Sequence, residues 1–193
     1  MTVAATRESR RQIILCADDY GLSAGVSDGI RDLAGQQRLS ATSAIVTLDR
    51  WPQDARQLRA LRDRLAAGLH INLTLGKPLG PMPSLAADGR LPTLRTLVIR
   101  SLSCRIDRNQ VAAEVTRQLV GLESEFGFPP DHVDGHQHVH ALPGVRAGVL
   151  AALAARFPEG GPLVRDPADS PSNIWAHSSA PGKALLISLL SHG

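Results

Sequence analysis

The sequence predicts an α/β fold built on a parallel β-sheet. Three observations carry that prediction. Short aliphatic runs alternate with longer segments of helical period, and the junctions between them hold helix-capping or turn residues. The helical segments are also long enough to serve as the crossovers that parallel strands require.

Residues 1–10 carry no apolar period and read as a loose leader ahead of one domain over 11–193. Gln12 to Ala17 is the first strand and runs into Asp18-Asp19-Tyr20-Gly21; Ser23 then offers an N-cap for a helix reaching Asp32 or Leu33. Ser43 to Thr47 is the second strand. The helix after it runs from Pro52, well suited to a first turn, to Leu65, with Leu58, Leu61 and Leu65 at helical spacing. Ala66 to Asn72 is the third strand, and the Pro- and Gly-rich segment 76–94 reads as a long loop. Asp107 caps a helix over 108–126 in which Val111, Val115, Gln118, Leu119 and Leu122 share one face, and Gly127 with Pro129-Pro130 ends it. A short fourth strand contains His132-Val133-Asp134, Pro143 opens a helix to about Phe157, and Pro162 to Arg165 supplies a fifth strand. The polar stretch 166–181 reads as loop, and 183–190 as a closing helix. Gly21, Gly25 and Gly29, four residues apart, suggest close helix packing.

With 193 residues, 43% hydrophobic and 20% charged, the chain can build one sizeable core. The aliphatic stretch 184–190 falls far short of the roughly 20 residues a bilayer span needs, and the apolar run after Arg11 is too short for a signal peptide. A cytoplasmic location is therefore the expectation. Cys16 and Cys104 lack both a disulfide framework and C-x-x-C spacing, and read as reduced thiols. The formal charge of +3 comes from scattered basic residues, and 3% aromatics give too few stacking platforms for a nucleic-acid partner. Phosphate-binding glycine motifs and the G-x-S-x-G elbow are missing, which argues against nucleotide cofactors and serine hydrolases.

In parallel α/β folds function gathers at the carboxyl ends of the strands. Asp18 and Asp19 follow strand one, His70 ends strand three, and His136, His138 and His140 follow strand four. Of two adjacent carboxylates, one can bind a metal while the other takes a proton. An aspartate with two imidazoles suits a borderline divalent ion and leaves positions open for water. Taken singly, Asp-Asp also fits a helix cap, and His70 a core histidine. Convergence of three strand ends on one mouth is what points to a metal site.

Three segments resemble the YdjC-like carbohydrate deacetylases, a family that includes chitooligosaccharide and hopanoid-associated deacetylases: A-D-D-Y-G-L-S at 17–23, G-L-H-I-N-L-T-L-G-K-P-L at 68–79 and H-V-D-G-H-Q-H-V-H at 132–140. The resemblance spans residues 11–170 and implies a distorted β/α (TIM-like) barrel that hydrolyses N-acetyl groups from sugars with one divalent metal ion, Mg or Zn. By motif position it implies Asp18 as catalytic base, with Asp19, His70 and His136 as metal ligands. Tyr20, where the family usually has Phe, is expected to bind substrate together with Asn72, His138, His140 and Arg165. Sparse aromatics at the mouth favour a short oligosaccharide or a glycolipid head group. The family's late histidine acid, in an H-P motif, has no counterpart, since His177 and His192 stand in other contexts. About five strands are countable where a closed barrel wants eight. The barrel is therefore expected to be incomplete at the C-terminus, with an unpaired edge that recruits a second copy as a homodimer. The alternative reading is an incomplete domain that binds metal or glycan with weak turnover; a glycosidase or phosphoesterase at the same mouth is disfavoured by the motif set.

Overall fold

The computed structural model describes residues 13–177 and 179–191. The expected leader at 1–10, the residue Gln12 and the last two residues, His192 and Gly193, lie outside the described residues. Five parallel strands form one sheet: β1 Cys16–Tyr20, β2 Ala41–Ala44, β3 Ala66–Ile71, β4 His132–Gly135 and β5 Leu163–Val164. Between them lie α1 Ala24–Gly35, α2 Trp51–Arg59, α3 Leu94–Leu102, α4 Arg108–Phe126 and α5 Val145–Arg156; α6 Pro171–His177 and α7 Pro181–Ser191 follow β5. Strand order equals chain order, so the sheet winds in one direction, as in a β/α barrel, without the reversal of a doubly wound sheet.

The sheet curls strongly. Three strand spacings in a flat sheet would separate β1 from β4 by about 14 Å, yet the Cys16 thiol lies 3.7 Å from His132 Nε2. Side-chain alternation then sorts the strands into two faces. Ala67, Leu69 and Ile71 of β3 and Val133 of β4 point outward into a core shared with Ile30, Leu58, Val115, Leu119 and Val149 from the helices. Cys16, Ser43, His70, His132 and Asp134 point inward and meet one another across the concave face. The apolar core thus lies outside the curl and the polar residues inside it.

Capping fixes the helix ends. Asp107 Oδ1 accepts from Asn109 N and Gln110 N at 3.0 and 3.1 Å to start α4. At its other end Gly127 takes a left-handed conformation at φ 88°, and Arg59 donates to the Phe126 and Glu125 carbonyls at 2.7 and 2.6 Å. The buried Gln118 of α4 pairs with both the N–H and the C=O of Asn72 at 3.0 and 2.8 Å, which locks the helix to the end of β3.

Several elements depart from the sequence reading. β1 continues through both aspartates to Tyr20. β2 covers Ala41–Ala44 instead of Ser43–Thr47, because pairing with Cys16 on one side and Ala66 on the other outweighs the higher strand propensity of Ile45 and Val46. α2 stops at Arg59 instead of Leu65, and the chain closes in i to i+3 turns from Leu58 to Arg64. α6 falls in the stretch 166–181 read as loop, and α3 begins where the loop reading of 76–94 ends, in a stretch given no element; α3 buries only Leu97 and Ser101, too few positions to give a period. Gly25 and Gly29 face open space, so close packing at that spacing does not occur.

Gly21, directly after β1, has φ +91°, and a Cβ there would stand 2.8 Å from the Ile45 carbonyl oxygen. Gly21→Ala is expected to destabilise the protein by about 1–3 kcal/mol, read as a lowered denaturant midpoint with an unchanged slope.

Candidate metal centre

Between the pairs Ala17–Thr42 and Tyr20–Ala44, β1 contains two residues where β2 contains only Ser43. This two-against-one count is a β-bulge, and its extra residue, Asp19, sits in the left-handed region at φ 68°. Consecutive strand side chains would normally face opposite ways; the bulge turns both carboxylates to the mouth. Aspartate is among the few non-glycine types that accept this conformation, at a cost of about 1–2 kcal/mol.

Each carboxylate meets a different set of partners. Asp19 Oδ1 lies 3.1 Å from His70 Nε2 and 2.7 Å from His136 Nδ1. Asp18 accepts from Arg165 Nη1 at 2.9 and 3.0 Å and from Ser43 Oγ at 3.3 Å. His70 is almost fully buried, and its Nδ1 faces Asp134 Oδ1 at 2.6 Å, its neighbour in the β3–β4 register. The second Asp134 oxygen accepts from Ser43 at 2.9 Å and Arg165 at 3.2 Å. The ring centroids of His70 and His136 are 5.6 Å apart, edge to face.

These contacts set the protonation states. Burial pushes the His70 imidazolium down, but hydrogen bonds and charge from Asp134 and Asp19 outweigh it and carry its pKa up to about 9. Burial likewise opposes the Asp134 charge, yet His70 and Ser43 hold its carboxyl at about 2. Hydrogen bonds from His70 and His136 lower Asp19 below the usual carboxylate range. Asp19, His70 and His136 bring three ligand atoms within 4.8 Å of one another. Two imidazole nitrogens converge there on one carboxylate oxygen, a donor set that fits a divalent ion in place of the His70 Nε2 proton. Asp134 stands behind His70 as the outer carboxylate that orients a ligating histidine.

The remaining residues expected at the site divide. Arg165 sits at the mouth between Asp18 and Asp134. His138 lines a cavity of about 400 Å³ with Arg165, Asp166 and Asn173. His140 lies behind the site, buried, and its Nε2 donates to the Arg165 carbonyl at 2.9 Å, which anchors the backbone that carries the guanidinium. Gln137 and His138 both adopt left-handed φ, and this kink separates His136 at the mouth from His140 beneath it. Tyr20 and Asn72 are placed away from the opening. Tyr20 is fully buried among the helices, its hydroxyl donating to the Asp54 carbonyl at 3.0 Å. Asn72, also fully buried, bonds Thr47 and the Leu75 backbone and shapes the loop after β3. Sequence reasoning missed Ser43 and Asp134; the position of Asp134, two residues before His136 inside a histidine cluster, was the available signal.

The YdjC-like protein family model matches residues 12–187. A chitooligosaccharide deacetylase of Yersinia pestis (strain Pestoides F) is 38% identical over 141 residues, 72% of this chain and 54% of that protein. The chitooligosaccharide deacetylase of Yersinia pseudotuberculosis serotype O:1b (strain IP 31758) matches with the same 38% identity and 54% coverage. The chain thus spans about half the length of these curated relatives. A structure from Enterococcus faecalis V583, described provisionally as a cellobiose-phosphate cleavage protein, shares the fold with a TM-score of 0.66 at 24% identity, covering 91% of this chain and 63% of that one.

His70 binds its proton more tightly when folded, at about 9, than at its ordinary 6.5. Between those values the folded state holds more protons, so stability falls as pH rises. His132 and His140, lowered by burial, titrate below this window, and Cys16, raised to about 11, titrates above it. Metal-free protein is expected to lose melting temperature from about pH 6.5 to about 9, and His70→Gln to lose that slope. A flat wild-type profile would contradict the paired hydrogen bonds on His70.

Proposed function

The chain belongs to the YdjC-like family, and from that membership we propose that it is a metal-dependent carbohydrate deacetylase that hydrolyses the N-acetyl group of an amino sugar in a short oligosaccharide or glycolipid. The observation that carries the reading is the adjacency of two differently committed carboxylates: Asp19 joins His70 and His136 in a ligand set, while Asp18 stands apart from it on Arg165 and Ser43. The names of the Yersinia relatives supply the substrate class.

In this reading Asp19, His70 and His136 hold one divalent ion, Mg or Zn, which when bound polarises the acetyl carbonyl and acidifies water. Asp18 accepts the proton of the attacking water. Arg165 and Ser43 hold that carboxylate in place at the mouth, beside the ligand set. His70 stays in one orientation because Asp134 occupies its other nitrogen. His138 and Arg165 border the cavity of about 400 Å³ into which the sugar would extend.

His136→Ala is expected to lower uptake of Zn or Mg by one equivalent per chain at nearly unchanged melting temperature, as read by elemental analysis and calorimetry; unchanged metal content would refute the ligand set. Asp18→Asn is expected to keep the metal and to lower acetate release from N-acetylated chitobiose by about a hundredfold to ten-thousandfold. Loss of metal in that variant would reverse the roles of the two aspartates. Metal uptake by the wild type with no acetate released would instead favour a domain that binds metal or glycan without turnover.

A further inference from the structure

One layer deeper in the curl, on the same strands, lies a second convergence of ligand atoms. Cys16 and His132 precede Asp18 and Asp134 by two residues, a displacement of about 7 Å along the strands. Cys16 Sγ stands 3.7 Å from His132 Nε2, close to the separation of two adjacent ligands around a tetrahedral zinc ion. Asp134 completes the set, with one ligand atom from each residue within 4.8 Å of the others. Gly68 makes room for it: a Cβ there would collide with the His132 ring, so the bare backbone of β3 lets the imidazole lie across the sheet toward Cys16. A cavity of about 540 Å³, bordered by Ile14, Cys16, His132, Leu163 and Val164, reaches the pair.

We propose that Cys16, His132 and Asp134 form a second metal site, distinct from the Asp19–His70–His136 set and selective for a thiophilic divalent cation of the zinc class. Sulfur decides the selectivity: a thiolate ligand excludes magnesium, whereas the set at the mouth has only nitrogen and oxygen donors. Burial pushes the Cys16 thiol up to about 11, so at neutral pH it carries a proton that coordination releases to solvent as the metal–sulfur bond forms. Asp134 Oδ1 remains with His70, and Oδ2 turns from Ser43 and Arg165 to the cation. Three protein ligands leave a fourth tetrahedral position open.

Cobalt(II) is the probe, because thiolate coordination gives it a near-ultraviolet charge-transfer band that oxygen and nitrogen ligands do not. The chain has two cysteines, so Cys104→Ser, made at an exposed position, leaves Cys16 as the sole thiol. Cobalt titration of metal-free Cys104→Ser protein is expected to produce that band with one equivalent per chain. His136→Ala in the same background should retain it, and His132→Gln should weaken the sulfur-bound equivalent about tenfold or more. X-ray absorption at the cobalt edge should show sulfur at about 2.3 Å. A folded Cys104→Ser protein that gives neither band nor sulfur shell overturns the proposal, as does a band lost together with the mouth site in His136→Ala. The readout is sulfur ligation, so it stands or falls independently of deacetylase turnover.

Discussion

His70 is gripped at both ring nitrogens, by Asp134 at 2.6 Å and Asp19 at 3.1 Å, and the architecture around it follows from keeping that imidazole in place. The first grip is a product of sheet register, since His70 and Asp134 are direct partners across β3 and β4. The second requires the bulge in β1, without which Asp19 would not face His70. Asp134 is in turn steadied by Ser43 of β2 and by Arg165 beyond β5, whose backbone is tied down by His140. Four strands and the residue that follows the fifth therefore contribute to the orientation of one ring. A buried charge network of this kind is tolerable only because each member is partnered.

The inverted layering of the sheet explains how such a network fits into a small fold. Leu69 and Ile71 flank His70 and anchor β3 in the outer core, so the strand is secured by its apolar alternates while its inward positions stay polar. The helices supply the rest of that core through α4 and α5. Stability and chemistry are thereby assigned to opposite faces of the same strands.

Much of this was legible in the sequence, for identifiable reasons. Alternating strand and helix segments gave the α/β class, and Asp19, His70 and His136 were placed at one mouth because parallel topology gathers strand ends. The bulge was not legible, since an aspartate in the left-handed region depends on what surrounds it and not on its own propensity. Tyr20 and Asn72 sit within the motif segments and look like surface residues, but the bulge directs Tyr20 outward into the helices, and Asn72 is consumed by its own loop. Asp134 reads correctly as part of the fourth strand, but it is the register of β3 against β4 that places it beneath His70.

Strand order that follows chain order also fixes when the candidate metal centre can come into being. The outer core grows by adding each βα unit to its predecessor, and the first three strands pair across only 25 residues, as in Cys16 with Ala41 and Ala41 with Ala66. Asp19 and His136, by contrast, meet across 117 residues, and Asp18 and Arg165 across 147. Loop-closure entropy puts such distant contacts late in folding. A chain emerging from the ribosome can thus consolidate β1 to β3 while its aspartates still lack their histidine and arginine partners. Under the proposed function, cation capture would be a final step, open only to a polypeptide whose sheet has already curled.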